Sequence, residues 1–461
     1  MKRHLRSPAA IPLLLAVVAS FVAVGCTVRP DVSETLDLSG NHSSGDLVMI
    51  TADTTKDGYQ YLGPKMSPDK SRIVFSADWP ALPPPGHQPD QPPLIRQLGV
   101  IPVAGHRRPL ARLADAGAQL IRFRPLTYVV AGTEVLLYPE DQLQKGAPEW
   151  VDDDHIVYWM QTPRGARIFE TFVPQVFTEE DLLSAQPVYR EPDDDSASGM
   201  HWEHYSPALS PDGRWLAFSR FGYMDLDSLN TITPQQIWVC AMPEEGELST
   251  LAFPVTGPAA ICDGPAWSPD GRRLAFHATP DLVGDNEFYT QEIFTIAFDT
   301  TGVAANGHPV LNNDIQRITR SEPDAGSNVK IRNTDPSWSA DGGIIAFVSD
   351  RRVPTITLRE RNIWYVPADG SLEPRLLFFS RADDIDPSFT GRPGRELLMS
   401  SGLGFPSEIL DEIWQETADS VQAANPDWPL PLVEQAANGV RAQLETYEGV
   451  MSHLYLFSNW E

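Results

Sequence analysis

One short pattern recurs six times along this chain, and no other feature constrains its fold as strongly. It reads PKMSPDKSRIVFSAD from Pro64, PEWVDDDHIVYWMQ from Pro148 and PALSPDGRWLAFSR from Pro207. It continues with PAWSPDGRRLAFHA from Pro265, PSWSADGGIIAFVSD from Pro336 and PSFTGRPGRELLMSS from Pro387. The prolines are 84, 59, 58, 71 and 51 residues apart, and a four-stranded propeller blade needs about 40–45. Each interval therefore holds one blade plus loop insertions. A short first strand carries Trp150, Trp267, Trp338 or Phe389, placed to wedge against the neighbouring blade. Ser-Pro-Asp-Gly then turns the chain: proline presets φ, aspartate bonds back to the backbone and glycine accepts positive φ. The next segment alternates with a period of two, as Trp215, Ala217 and Ser219 do against Leu216 and Phe218, which marks a second strand.

Third strands are expected at IRQLGVIPV, ARIFETFV, QQIWVCAM, QEIFTIAF and RNIWYVPA, and fourth strands at PLARLA, STLAFPV, IQRIT and PRLLFF. The sixth copy has no such fourth strand. A proline-interrupted helical insertion at 406–450 follows it, then one strand-like run, His453–Ser458. Leu47–Thr51, just ahead of the first copy, is predicted to pair with that run and close the ring, which removes exposed edges. The fold class is thus all-β: a six-bladed β-propeller of four-stranded antiparallel blades over residues 46–461, with a helical insertion before the closing strand.

Residues 1–25 read as an address. Lys2, Arg3 and Arg6 precede an uncharged apolar run at 11–24, the length of a signal-peptide core and short for a permanent span. The run ends at Ala23-Val24-Gly25-Cys26, which resembles the bacterial lipobox and makes Cys26 the expected lipidation site. An ordinary secretory signal is the other reading. Thr27 lacks the acidic character of an inner-membrane retention signal, so a lipid-anchored, periplasm-facing position at the outer membrane is expected, with residues 26–45 as a flexible tether. A net charge of −27 argues against nucleic-acid partners, because phosphate contacts need a basic face.

The segments SPDGRWLAFSR, SPDGRRLAFHA and FVSDRR with RNIWYVPADG resemble the propeller half of the TolB family, over roughly residues 46–405. TolB also carries an N-terminal α/β domain, for which the stretch ahead of the first repeat leaves no room. The Pro-Asp-Gly turn is missing from the second copy (Val151-Asp152-Asp153-Asp154) and the sixth (Gly391-Arg392-Pro393-Gly394). The resemblance implies a propeller that takes peptides into its channel mouth and contacts envelope proteins.

Catalytic signatures are sparse. G-x-S-x-G, the G-x-x-x-x-G-K-[ST] phosphate loop and H-E-x-x-H are all absent from the sequence. The tail after the last repeat is too short for the α/β-hydrolase domain of prolyl-oligopeptidase relatives. Polar residues instead gather in loops that enter first strands (His201, Glu203, His204, Asp263, Asp335, Asp386) or leave second strands (Asp78, Arg220, His277, Asp350, Arg351). Converging on one funnel, they would suit a protein, peptide or cell-wall ligand; the same aspartates can equally cap turns. His201 and His204 with Asp263 offer a metal set for an alternative, an extracytoplasmic carbohydrate lyase or hydrolase. Acidic clusters at Asp152–Asp154, Asp193–Asp195 and Asp225 with Asp227 leave calcium open as a cofactor. Cys240 and Cys262 could form a disulfide in an oxidising compartment. The expected state is a monomer that touches membrane through its anchor alone.

Overall fold

In all six copies the strand before the turn and the strand after it are hydrogen-bonded antiparallel; downstream segments complete the sheet in the first five, and a downstream and an N-terminal strand complete it in the sixth. A computed structural model describes residues 46–460 except 52–59, 81–93, 104–118, 131–132, 140–142, 179, 192–199, 225–230, 245–246, 281–289, 304–308, 311–313, 322–329, 354–359, 381, 393–394, 404–406, 446–452 and 459. The expected signal, tether and Cys26, and the clusters Asp193–Asp195 and Asp225/Asp227, lie outside the described residues.

Blade 1 is Tyr61–Met66, Arg72–Pro80, Leu94–Pro102 and Gln119–Leu120. Its fourth strand differs from the expected PLARLA, which lies outside the described residues. Blade 2 is Lys145–Trp150, His155–Thr162, Gly165–Phe172 and Gln186–Pro187. Blade 3 is Met200–Leu209, Trp215–Met224, Gln236–Ala241 and Ala252–Pro254. Blade 4 is Cys262–Trp267, Arg273–Ala278, Glu292–Ala297 and Ile315–Arg317. Blade 5 is Asn333–Trp338, Ile344–Ser349, Asn362–Pro367 and Arg375–Phe378. Blade 6 is Asp384–Phe389, Leu397–Ser401, His453–Ser458 and Asp46–Met49. First strands pack one on the next around the circle, and the sixth packs on the first, so the six sheets form a closed propeller.

Closure takes the expected form. Asp46–Met49 pairs antiparallel with the C-terminal strand, from Asp46 opposite Ser458 to Met49 opposite Tyr455. The insertion is two helices, α1 (Ser407–Ala424) and α2 (Leu430–Glu445), separated by Pro426 and Pro429, which cannot continue a helix. Leu410, Ile413 and Leu444 fix the pair to the blade 6 residues Leu397, Tyr455 and Phe457.

Packing between blades explains why the second strands are apolar on both faces. Phe75, Phe218, Phe276 and Phe347 are fully buried, because each sheet is covered by a neighbour on either side. The wedge aromatics also bond across the seam: Trp150 Nε1 donates to Lys65 O at 3.0 Å, Trp267 Nε1 to Ala208 O at 3.0 Å and Trp338 Nε1 to Ala266 O at 3.1 Å. Truncating such a tryptophan to alanine costs about 3–5 kcal/mol.

At the turns, Ser210, Ser268 and Ser339 each donate to the aspartate two residues on, at 2.6 Å. Gly213, Gly271 and Gly342 take the φ of 68–70° the turn requires. The two divergent turns reach to blade 1 instead. Asp153 accepts Asp69 N–H at 2.8 Å, Asp154 pairs with Arg72 at 3.0 Å, and Arg392 Nη2 donates to Lys70 O at 3.1 Å.

Candidate functional site: the channel ring

Proline at the centre of each first strand has no N–H to offer the ladder. The ladder slips there in all six blades, so that one extra residue sits on the first strand; in blade 1, for example, Leu62 faces Ser76 and Lys65 faces Val74. The residue before each proline is left-handed: Gly63 (60°), Ala147 (47°), Ser206 (51°), Gly264 (62°), Asp335 (53°) and Asp386 (55°). Four of the six are not glycine, and each such residue costs about 1–2 kcal/mol.

The bulge residues are half-buried, as are Leu62, Tyr205, Asp263, Thr334 and Ile385 just before them, whereas the prolines after them and the residues one step further back, such as Tyr61 and His204, are buried. Partial exposure in the middle of the innermost strands opens onto the central channel. Its wall is uneven. Leu62, Gly63, Gly146 and Ala147 make the blade 1 and 2 arc apolar, and Trp159 packs beneath Gly146. Tyr205, Ser206, Asp263, Thr334, Asp335 and Asp386 make the arc from blade 3 to blade 6 polar.

Neighbouring blades are tied through this polar arc. Ser206 Oγ donates to Asp263 Oδ1 at 3.0 Å, and Ser219 Oγ donates to the same oxygen. Asp335 N–H points to His277 Nδ1 at 3.4 Å, while Thr334 Oγ1 donates to Asp335 Oδ2 at 2.8 Å. Gly63 N–H donates to Asp386 Oδ2 at 2.9 Å across the closing seam. Burial, and then the charge of Asp335, push the Asp386 carboxyl up to about 6.

Three residues before each proline stands a second ring: Tyr61, Lys145, His204, Cys262, Asn333 and Asp384, all at 0% exposure. These side chains clamp blades together. Lys145 Nζ donates to Gln97 Oε1 at 2.5 Å and Pro139 O at 2.6 Å. Asn333 Nδ2 donates to Glu292 Oε2 at 2.8 Å. Asp384 accepts from Ser380 N–H at 2.6 Å and Ser401 Oγ at 2.5 Å, and burial raises it to about 7.

Of the residues singled out in the sequence, Asp263, His277, Asp335 and Asp386 come together at the ring. Several others do not. His204 is buried with Nε2 2.7 Å from Glu191 Oε1, and desolvation lowers its pKa. Arg220 binds Glu191 through both Nε and Nη2, at 2.6 and 2.7 Å, between Trp202 (3.6 Å) and Trp238 (4.0 Å). Burial opposes the charge on Glu191, but the bonds from His204 and Arg220 outweigh it and hold the carboxyl at about 2. Glu203 accepts Ala166 N–H at 2.7 Å and Tyr205 OH at 3.0 Å. His201 stacks on Tyr223 at 5.2 Å. Asp350 is bound to Arg332 N–H at 2.7 Å, and Asp78 to Arg96 at 3.0 Å. Arg351 lies over Trp364 at 5.1 Å.

Two expectations are corrected. His201 and His204 are three apart on an extended strand and so face opposite sides of the sheet, which prevents their sharing an ion with Asp263. Among the described residues no three His, Cys, Asp or Glu side chains are grouped to hold a metal; Asp152 instead accepts the N–H groups of Asp154 and His155. Cys240 and Cys262 are both free and buried, their thiols pushed up to about 12 by burial. Cys262 begins blade 4 whereas Cys240 lies in the third strand of blade 3, and the two pack in separate apolar clusters. Sequence reading also missed Tyr205, Ser206 and Thr334 in the ring, and Glu191 behind it; the column of residues preceding each proline was the available signal.

No protein-family model matches this chain, and no curated protein does. Solved structures are similar to it. A TolB from Agrobacterium tumefaciens is 14% identical with a TM-score of 0.38, covering 73% of this chain and 89% of that one. TolB from Acinetobacter baumannii is 15% identical with a TM-score of 0.35, covering 74% and 60%. A puromycin-hydrolyzing peptidase from Mycobacterium tuberculosis is 16% identical with a TM-score of 0.39, covering 78% of this chain and 46% of the peptidase. Such likeness concerns the fold alone, and the propeller assignment rests on the closed circle of first strands.

Proposed function

We propose that this propeller is a cell-envelope binding protein that admits a protein or peptide segment to its channel mouth, held at the outer membrane by lipid on Cys26. The observation that carries this reading is the ring of six left-handed bulges. Four non-glycine residues are held there against their backbone preference, and strain of that kind collects at functional sites. The bulges turn Ser206, Asp335 and Asp386 toward the channel, opposite an apolar arc from blades 1 and 2. A wall polar on one side and apolar on the other suits an amphipathic segment of chain. No helix among the described residues is long and apolar enough to cross a membrane; the attachment proposed at Cys26 rests on the lipobox-like residues before it. A cell-wall component is the other ligand the mouth suits.

The test is a photo-crosslinker at Thr334 in cells making the full chain. Capture of an envelope protein is expected, with loss of that capture in the Asp335→Asn, Asp386→Asn double variant and release from the membrane fraction in Cys26→Ala. Identical capture with both carboxylates removed overturns the mouth as the binding face. A Cys26→Ala chain that stays with the membranes overturns the anchor.

A further inference from the structure

The connections that enter blades 3 and 5 run in register. Val188-Tyr189-Arg190-Glu191 follows the outer strand of blade 2, with Val188 N–H on Ile168 O at 3.0 Å. Ile318-Thr319-Arg320-Ser321 follows the outer strand of blade 4, with Ile318 N–H on Ile293 O at 2.8 Å. Ser321 thus occupies the place of Glu191. Each connection faces an arginine of the next blade, Arg220 within its second strand and Arg351 two residues past the end of its own, and each arginine lies on the tryptophan third in that blade's third strand. In blade 3 these are Arg220 on Trp238, in blade 5 Arg351 on Trp364.

The two arginines differ in what balances them. Glu191 takes two N–H groups of Arg220 at 2.6 and 2.7 Å. Arg351 instead donates from Nη2 to Ser321 Oγ at 3.1 Å. Among the described residues its buried Nε has no acceptor, and neither has Nε1 of Trp364, a side chain only 8% exposed. Among the described residues the carboxylates acting on Arg351 are Glu292, Glu373 and Asp350. Glu292 is occupied by Arg317, Thr319, Ser321 and Asn333, and Asp350 by Arg332. Arg320 and Arg352 stand exposed beside the clasp, in a chain whose net charge is −27. Two adjacent buried donors without acceptors are costly unless something supplies them.

We propose that Arg351, Trp364 and Ser321 form a binding site for the carboxylate of an acidic side chain on a partner polypeptide, which takes the place Glu191 fills in blade 3. The proposal rests on the channel mouth being the binding face and adds the chemistry of what docks at its blade 5 rim. A carboxylate is favoured because the molecule itself uses one in the equivalent clasp, where a planar two-oxygen group meets the guanidinium edge.

Fluorescence anisotropy of the full chain with a labelled eight-residue peptide of alternating Glu and Ala tests this, beside the same peptide with Gln for Glu. The Glu peptide should bind and the Gln peptide should not. Arg351→Gln should weaken binding about tenfold or more. Ser321→Glu, which restores the missing carboxylate from within, should weaken it equally while the thermal midpoint holds or rises. Acetate should compete at concentrations where inorganic phosphate does not. Equal binding of both peptides, indifference to both substitutions, or stronger competition by phosphate each overturns the carboxylate site. Crosslinking at Thr334 that persists through such a failure leaves the mouth reading intact, so the two fail separately.

Discussion

At the turn ends of blades 4 and 5, Asp270 and Asp341 accept from a serine two residues away, and those bonds hold both carboxyls below the usual range. At the bulge ends of the same circle of strands, Asp386 is crowded by burial and by Asp335 and is pushed up to about 6. One residue type thus carries opposite shifts at the two ends of the first strands. The turn aspartates close on their own loop and make the fold cheap to repeat. The bulge residues depend on neighbouring blades, sit on strained backbone and keep ionisable groups together where the channel opens. Regularity belongs to the scaffold, and departure from it collects at the channel ring.

The comparison is broken hardest by removing a cross-blade partner. Glu191→Ala leaves Arg220 buried and unbalanced, and should cost about 3–5 kcal/mol in denaturant unfolding. A loss below about 1 kcal/mol would show that the bulge-end clasp is no more critical than a turn. Next comes Asp386→Asn. Because the folded carboxyl titrates near 6 rather than 3.8, the fold binds its proton more tightly than the unfolded chain, and its contribution weakens as pH rises from about 4 to 6. The variant should gain about 1–2 kcal/mol at pH 8 and nothing at pH 3.5. A gain of equal size at both pH values would contradict the crowding. The smallest effect is expected at the turn, where Asp270→Ala should lose about 1 kcal/mol at pH 7. That loss should fade as pH falls below 4, opposite in sign to the Asp386 profile.

Much of the architecture was legible because its signals are local. Proline spacing, the Ser-Pro-Asp-Gly turns and the alternation of Leu216 and Phe218 lie within a few residues of one another. Even the closing strand was visible, since the last repeat lacked a partner that Leu47–Thr51 could supply. The site was less legible because its determinants cross blades. Glu191 reaches Arg220 over 29 residues through a fold the pattern does not encode at that resolution. His201 and His204 looked like a pair until strand geometry put them on opposite faces. Cys240 and Cys262 looked close because the boundary between blades 3 and 4 falls just before Cys262. The bulges were written in plain view as residue-proline pairs, yet the slip they cause shows only once the second strand is laid alongside.

Among the described residues, Asp46–Met49 has its ladder pairing with His453–Ser458 alone. A ribosome must therefore release the chain through Ser458 before Asp46–Met49 has its ladder partner, and until then the growing arc presents a raw β edge. Clipping the last dozen residues should leave every internal blade's sequence untouched and still deny the wheel its clasp.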